Sequence, residues 1–324
     1  MASRIRSIGI LSAFILITGF AVAGEQPEAV SVLRVLSWNI SDDSFESHPA
    51  EFQALLARAE PDVLLLDEVS PSSDLDQLRS IVADMQANDA DAWHFDVGES
   101  GGRQRNVVAS RAPQESLPEF SSIVPYPEAD RRYILEQMSS RARANPNWSM
   151  DNGIPVNGAL ILGNDKRLLV VSADLQCCGG DYESWQEYRR RVEAREIHRR
   201  IRDVLARTQV DGIVLAGDFN SVNTNVPLVM LMGPYDQNHS GLIPAEIYHL
   251  DGSTAWTWDG RGTPFPSSAL DYQMYSPESL RVQAGFILDS EDFSSEELEA
   301  LGLQPKTSNQ LSDHRPLVVE YVWQ

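Results

Sequence analysis

Three apolar runs in this chain stop at small polar side chains, and a fourth begins beside a further polar cluster. VLRVLSWNI closes on Asn39, PDVLLLDEV on Glu68 with Asp67 beside it as an alternate, and GIVLAGDFN on Asp218 and Asn220. The segment SDHRP, carrying Asp313 and His314, leads into PLVVEYVW. Such runs read as strands of a layered α/β protein, where the strands fix geometry and the turns at their ends supply polar groups.

The rest of the chain agrees with layers. Strands are expected at 32–38, 62–67, 106–110, 158–162, 167–173, 212–217 and 316–322, with helical stretches at about 48–59, 73–87 and 183–207. In the last helix Trp185, Tyr188, Val192, Ile197, Ile201 and Val204 recur at near-helical spacing. Glu187 with Arg191 and Glu196 with Arg200 stand four apart, so its arginine-rich faces are expected to be solvated and salt-bridged.

An Asn carbonyl, a Glu carboxylate and Asp carboxylates are hard oxygen donors, which together suit Mg²⁺, Mn²⁺ or Ca²⁺. No zinc-type Cys/His spacing competes. His314 can carry a proton or stabilise negative charge, while Asp218 and Asn220 can orient a water. That combination is hydrolytic and suits phosphate esters above all.

In their order along the chain, WN, the strand ending in Glu68, SR, GDFN, DY and SDH resemble the endonuclease/exonuclease/phosphatase (DNase I-like) superfamily. The likeness runs from about Val32 to Val322. It implies a four-layer α/β sandwich, two mixed sheets packed face to face with helices outside. It also implies a metal ligand at Glu68 assisted by Asn39, with Asp313 beside His314 completing the metal set. Asp218 and Asn220 would stand at the reacting phosphate and water, Arg111 of NVVASRAP would contact phosphate or play a structural role, and Asp271 of ALDYQMY would support the site from behind. A bacterial-type secreted phosphoesterase needing Mg²⁺ (or Mn²⁺ or Ca²⁺) is the function implied, its partner a nucleic acid, a phospholipid headgroup or a sugar phosphate. No stable protein partner is indicated, and a monomer is expected.

One position departs from that pattern. Most members carry a second histidine in a T-H-L-like string, but VVSADLQCCGG has Asp174 there. An ordinary aspartate is ionised at neutral pH and would repel a phosphate. Asp174 must therefore bind metal, keep a raised pKa, or mark a lost activity. A binding or toxin-like protein with lapsed catalysis is the alternative in the last case, and a membrane-associated phospholipid phosphodiesterase is a third reading.

Arg4 and Arg6 precede an apolar stretch, Ile8 to Ala23, that ends in the A-x-A string Ala21-Val22-Ala23. Residues 1–23 are expected to be a cleaved signal peptide, and 24–324 one domain in a secreted or periplasmic protein. Cleavage leaves 24 basic and 47 acidic side chains, a net charge of −23. Such a chain lacks the broad positive surface of a sequence-independent nucleic-acid binder. A metal ion can still supply local positive charge.

Cys177 and Cys178 are adjacent, with Cα atoms about 3.8 Å apart, below the roughly 4.4–6.8 Å usual for a disulfide. Either a strained vicinal ring, with Gly179-Gly180 absorbing the turn, or two free thiols is compatible with this string. The segment 130–157, with Arg131, Arg132, Arg141, Arg143, Trp148 and Met150, either lines the substrate cleft or is a surface excursion. His94 and His249 sit among aromatics and are expected to be packed.

Overall fold

Aliphatic runs build two six-stranded sheets in a computed structural model that describes residues 32–42, 44–85 and 93–324. The expected signal peptide, residues 1–23, lies outside the described residues. In chain order the strands are β1 Val32–Asp42, β2 Val63–Val69, β3 His94–Val97, β4 Arg105–Ser110, β5 Gln114–Ser116 and β6 Val156–Gly163. There follow β7 Lys166–Ala173, β8 Gly212–Asp218, β9 Ile243–Pro244, β10 Asp271–Tyr275, β11 Leu280–Ile287 and β12 Leu317–Trp323.

One sheet has the order β11-β12-β1-β2-β4-β3 and the other β5-β6-β7-β8-β10-β9. Both are mixed, because β1–β2 and β7–β8 run parallel while their other ladders are antiparallel. The sheets meet through Val35, Val63, Leu65 and Val108 on one side and Leu168, Val170, Val214 and Ala216 on the other. On the outer face of the first sheet, Phe52, Leu55, Leu78 and Val82 from helices Pro49–Ala59 and Leu75–Asp84 cover Leu36, Leu64 and Leu66. Helix Trp185–Leu205 lays Val192, Ile197, Ile201 and Val204 over Leu169, Val171, Ile213 and Leu215 of the second. This is the expected four-layer sandwich. It explains why Val63 to Leu66 are apolar without alternation: one face meets the other sheet and the opposite face meets helices, so all four are fully buried. Each such side chain contributes roughly 1.5–3 kcal/mol by leaving water.

Caps locate the covering helices. Asp74 accepts from the backbone N–H groups of Asp76 and Gln77, and Ser184 accepts from that of Glu187, so both helices start at a side chain that satisfies their open donors. Among the described residues no helix is long and apolar enough to cross a membrane.

Two expectations are corrected here. The arginines of helix Trp185–Leu205 are not all on a solvated face: Arg189 and Arg190 are buried, paired with Glu193 and Glu187. Glu187 does meet Arg191, but Arg200 donates to the Glu119 carbonyl, and Glu196 pairs with Arg195 and Arg199 instead. His94, expected to be packed, is exposed on β3, whereas His249 is buried between Asp292 and the Trp256 ring and carbonyl.

Candidate active site

Strand direction decides which polar residues meet. β1 and β2 run parallel in one sheet, as do β7 and β8 in the other, so their C-terminal ends deliver Asn39, Glu68, Asp174 and Asp218 to one edge of the sandwich. β10 and β12 run antiparallel to β8 and β1, so the same edge receives the start of β10 and the residues preceding β12. Asp271 lies directly opposite Asp218 in the ladder, and Trp38 Nε1 donates to the carbonyl of His314 at 3.1 Å.

The central contacts form a line. His314 Nδ1 stands 2.8 Å from Asp271 Oδ2, and its Nε2 stands 3.6 Å from Asp218 Oδ2. Asn39 Nδ2 donates to that same Asp218 oxygen at 3.3 Å, while the backbone N–H of Asn220 donates to Asp218 Oδ1 at 2.9 Å. Thr257 Oγ1 donates to Asp271 Oδ2 at 2.6 Å. Ligand atoms of Asp218, Asp271 and His314 lie within 4.8 Å of one another, a grouping that could hold an ion. The short Asp271–His314 bond couples this imidazole to a carboxylate.

Burial sets the charges. Burial lowers the proton affinity of His314, but Asp271 and then Asp218 outweigh it and hold the imidazolium up to about 10. Asp218 is pushed up to about 7 by burial and by Asp271, against the opposing pull of His314 and the Asn220 N–H. In the metal-free protein these shifts favour a protonated imidazole beside a carboxyl that holds its proton more tightly than usual.

Asp174 is fully buried yet satisfied. Gln104 Nε2 donates to its Oδ2 at 2.8 Å, and Asn220 Nδ2 reaches its Oδ1 at 3.4 Å and the Leu175 carbonyl at 2.9 Å. Burial, then the neighbouring Glu68, Asp218 and Asp67, holds its carboxyl well above the usual range. Of the options open to Asp174, a raised proton affinity is the one this setting supports.

Glu68 is aimed by strained backbone. Its φ is +57°, left-handed for a side chain that disfavours it, and the ladders on both sides of β2 slip register around it, Asn39/Asp42 toward β1 and Leu66/Val69 toward β4. Such strain persists where the surroundings over-determine it and concentrates at functional sites. Asp67, the alternate, points inward: it accepts from Asn106, Ser172 and the backbone N–H of Asp218, and so braces Asp218. Gly217 permits that brace, since at φ +132° a Cβ would lie 2.1 Å from the Ala173 carbonyl oxygen.

Asp313 sits at the exposed rim, its carboxylate taking Ser41 Oγ at 3.0 Å and Trp258 Nε1 at 2.9 Å. Arg111 does not join the site. It follows β4, which runs antiparallel to β2, so Ser110 pairs with Val63 at the opposite edge. There Arg111 lies 4.0 Å from Asp62 and stacks over Trp93, which leaves it the structural role. Trp148 packs on Trp185 of helix Trp185–Leu205, and Met150 is buried, so these two side chains of segment 130–157 turn inward. Gln104, Thr257, Trp258 and Ser41 were not legible as site residues, because only the folded chain brings each against the acidic side chain it holds.

Known proteins share this arrangement of elements. The model of the Endonuclease/Exonuclease/phosphatase family matches residues 36–314. A comparison with curated proteins gives no match. Among solved structures, an endonuclease/exonuclease/phosphatase from Bacteroides vulgatus superposes with a TM-score of 0.57 at 14% identity, over 91% of this chain and 100% of its own. The human Nocturnin catalytic domain with bound sulfate gives 0.55 at 14% identity, over 90% of this chain and 94% of its own. The D. rerio TDP2 complexed with single strand DNA product gives 0.50 at 14% identity, over 90% of this chain and 99% of its own. At such identities the solved structures speak to the fold.

Proposed function

The chain belongs to the endonuclease/exonuclease/phosphatase family, whose members hydrolyse phosphate esters, and we propose that it is a divalent-metal-dependent phosphoesterase acting on a phosphodiester or phosphomonoester. The observation that carries this reading is the line of polar contacts Asp271–His314–Asp218–Asn39, hydrogen-bonded at its two ends and ion-paired between His314 and Asp218, set at the strand ends with Glu68.

The donor set fits a hard cation. Asn39, Glu68 and Asp313 offer oxygen alone, which suits Mg²⁺, Mn²⁺ or Ca²⁺. Glu68 and Asp218 lie close enough to act on the same buried Asp174 carboxyl, so acidic groups gather at this edge. When bound, the ion would supply positive charge to the phosphate oxygens.

The remaining work falls to the chain's own groups. Asp218, poised near neutrality, takes the proton of the attacking water as the water oxygen bonds to phosphorus and the ester P–O bond breaks, the leaving oxygen keeping the bonding pair and taking its proton from solvent. His314, kept protonated by Asp271, offers Nε2–H to the negative charge that builds on the phosphate. Asn220 positions Asp218 through its N–H and Asp174 through its side chain. Asp174, protonated, can donate to a phosphate oxygen where an ionised aspartate would repel it.

This role for Asp174 predicts that Asp174→Ala lowers turnover by about ten- to a hundredfold, the scale of one hydrogen bond to a charged group. A lapsed enzyme would instead show an inert wild type and a gain in Asp174→His.

Export is part of the proposal, supported by Arg4, Arg6, the apolar run to Ala23 and the A-x-A string. A secreted or periplasmic location follows. The assay that tests the function compares DNA, RNA, sphingomyelin, inositol phosphates and a small aryl phosphodiester with one preparation, in Mg²⁺ or Mn²⁺ and then in chelator. Metal-dependent release from at least one of them is expected. Inactivity on all of them would leave a binding protein on this fold.

A further inference from the structure

Beyond Asp174 the chain enters a loop whose shape is imposed from outside. Leu175 N–H donates to the Asp218 carbonyl at 2.8 Å, and Gln176 N–H donates to Glu193 at 2.7 Å. Arg190, fully buried and paired with Glu187, gives Nη1 to the carbonyls of Gln176 at 2.9 Å and Cys178 at 2.6 Å, and Nη2 to that of Gly179 at 2.9 Å. One guanidinium thus gathers three carbonyls of the segment that holds both cysteines of the chain. Cys178 and Gly179 both adopt left-handed backbone, φ 68° and 67°.

In that fold the two thiols touch. Their sulfurs are 2.8 Å apart, with Cys178 exposed and Cys177 half-buried. We propose that Cys177 and Cys178 are a redox-active pair, Cys178 attacking a small-molecule disulfide and Cys177 resolving the adduct into a vicinal disulfide.

The environments of the two sulfurs assign these roles. The hydrogen bond with Cys177 draws the Cys178 thiol down to about 7, with the charge of Arg190 helping against partial burial. The same contact and burial drive the Cys177 thiol upward, so it stays protonated until its partner has reacted. In the first step the Cys178 thiolate bonds to one sulfur of RSSR, the S–S bond breaks, and RS⁻ leaves. In the second the Cys177 sulfur bonds to the Cys178 sulfur, its proton passes to solvent, and the second RS⁻ leaves. Two protein thiols are oxidised and one disulfide is reduced to two RSH.

The test uses the full-length chain, first reduced with dithiothreitol, desalted, and then exposed to excess glutathione disulfide. Intact mass should fall by two hydrogens with no glutathione retained, and dithiothreitol should restore it. Cys177→Ser should accumulate a single glutathione adduct, whereas Cys178→Ser should form its adduct at least about tenfold more slowly, because its remaining thiol is half-buried where Cys178 is exposed. A stable glutathione adduct on the wild type, a wild type that does not react, or equal rates in the two variants would overturn the proposal. None of these readouts depends on phosphoesterase activity.

Discussion

Asp218→Asn is expected to lower turnover by about 10²–10⁴-fold, the scale of a positioned proton-transfer group, while the protein stays folded. The substitution keeps the shape of the side chain, and the backbone N–H of residue 218 can still donate to Asp67. What it removes is the carboxyl that burial has pushed up to about 7. The sign of the stability effect follows. A carboxyl that holds its proton to higher pH in the folded protein than in the unfolded chain contributes stability at low pH, and that contribution is lost as pH rises through about 7. In chelator at pH 8, Asp218→Asn should therefore melt at or above the wild type, while its turnover measured with Mg²⁺ or Mn²⁺ collapses. Melting well below the wild type would mean that the lost activity reports lost structure.

The same line of contacts makes a check on charge. Asp271 is the main group holding His314 up against burial, and it also raises Asp218. Asp271→Asn should move the His314 titration, followed by NMR in metal-free protein, down from about 10. A titration unchanged in Asp271→Asn would remove Asp271 from that role, whatever the mutant's turnover.

Much of this site was legible because strands built to be buried on both faces stand out as unbroken apolar runs, and their ends are easy to find. Asn39, Glu68, Asp218 and Asn220 were located that way, and Asp313 and His314 by the run that follows them. Direction was not legible. NVVASR reads as a strand ending in Arg111, but nothing in its periodicity says that β4 pairs antiparallel to β2, and that pairing sends Arg111 to the far edge. Charge count misled for a related reason. Whether an arginine on helix Trp185–Leu205 is solvated depends on what lies above it, and Tyr126 and the Trp148 carbonyl, which enclose Arg189, come from elsewhere in the chain. Strand β11 was missed because it lies at a sheet edge with half-exposed positions, so no apolar run or clean alternation marks it.

Glu68→Gln should lower Mg²⁺- or Mn²⁺-supported turnover by at least about 10²-fold without unfolding the protein. The glutamate sits at a φ of +57° between two register slips, a backbone arrangement that any non-glycine residue pays to adopt and that glutamine would adopt equally. Stability should change little, which separates this variant from a structural lesion. The charge lost is the one that a hard cation needs and, after burial, the first that keeps the proton on Asp174. Two consequences accompany the loss of turnover. The metal concentration for half-maximal activity should rise, because one of the three proposed oxygen ligands has become a neutral amide. The Asp174 carboxyl should also ionise at lower pH, moving the alkaline limit of the residual activity downward. Turnover equal to the wild type at saturating metal would take Glu68 out of the site, leaving the strain at its backbone without a chemical purpose.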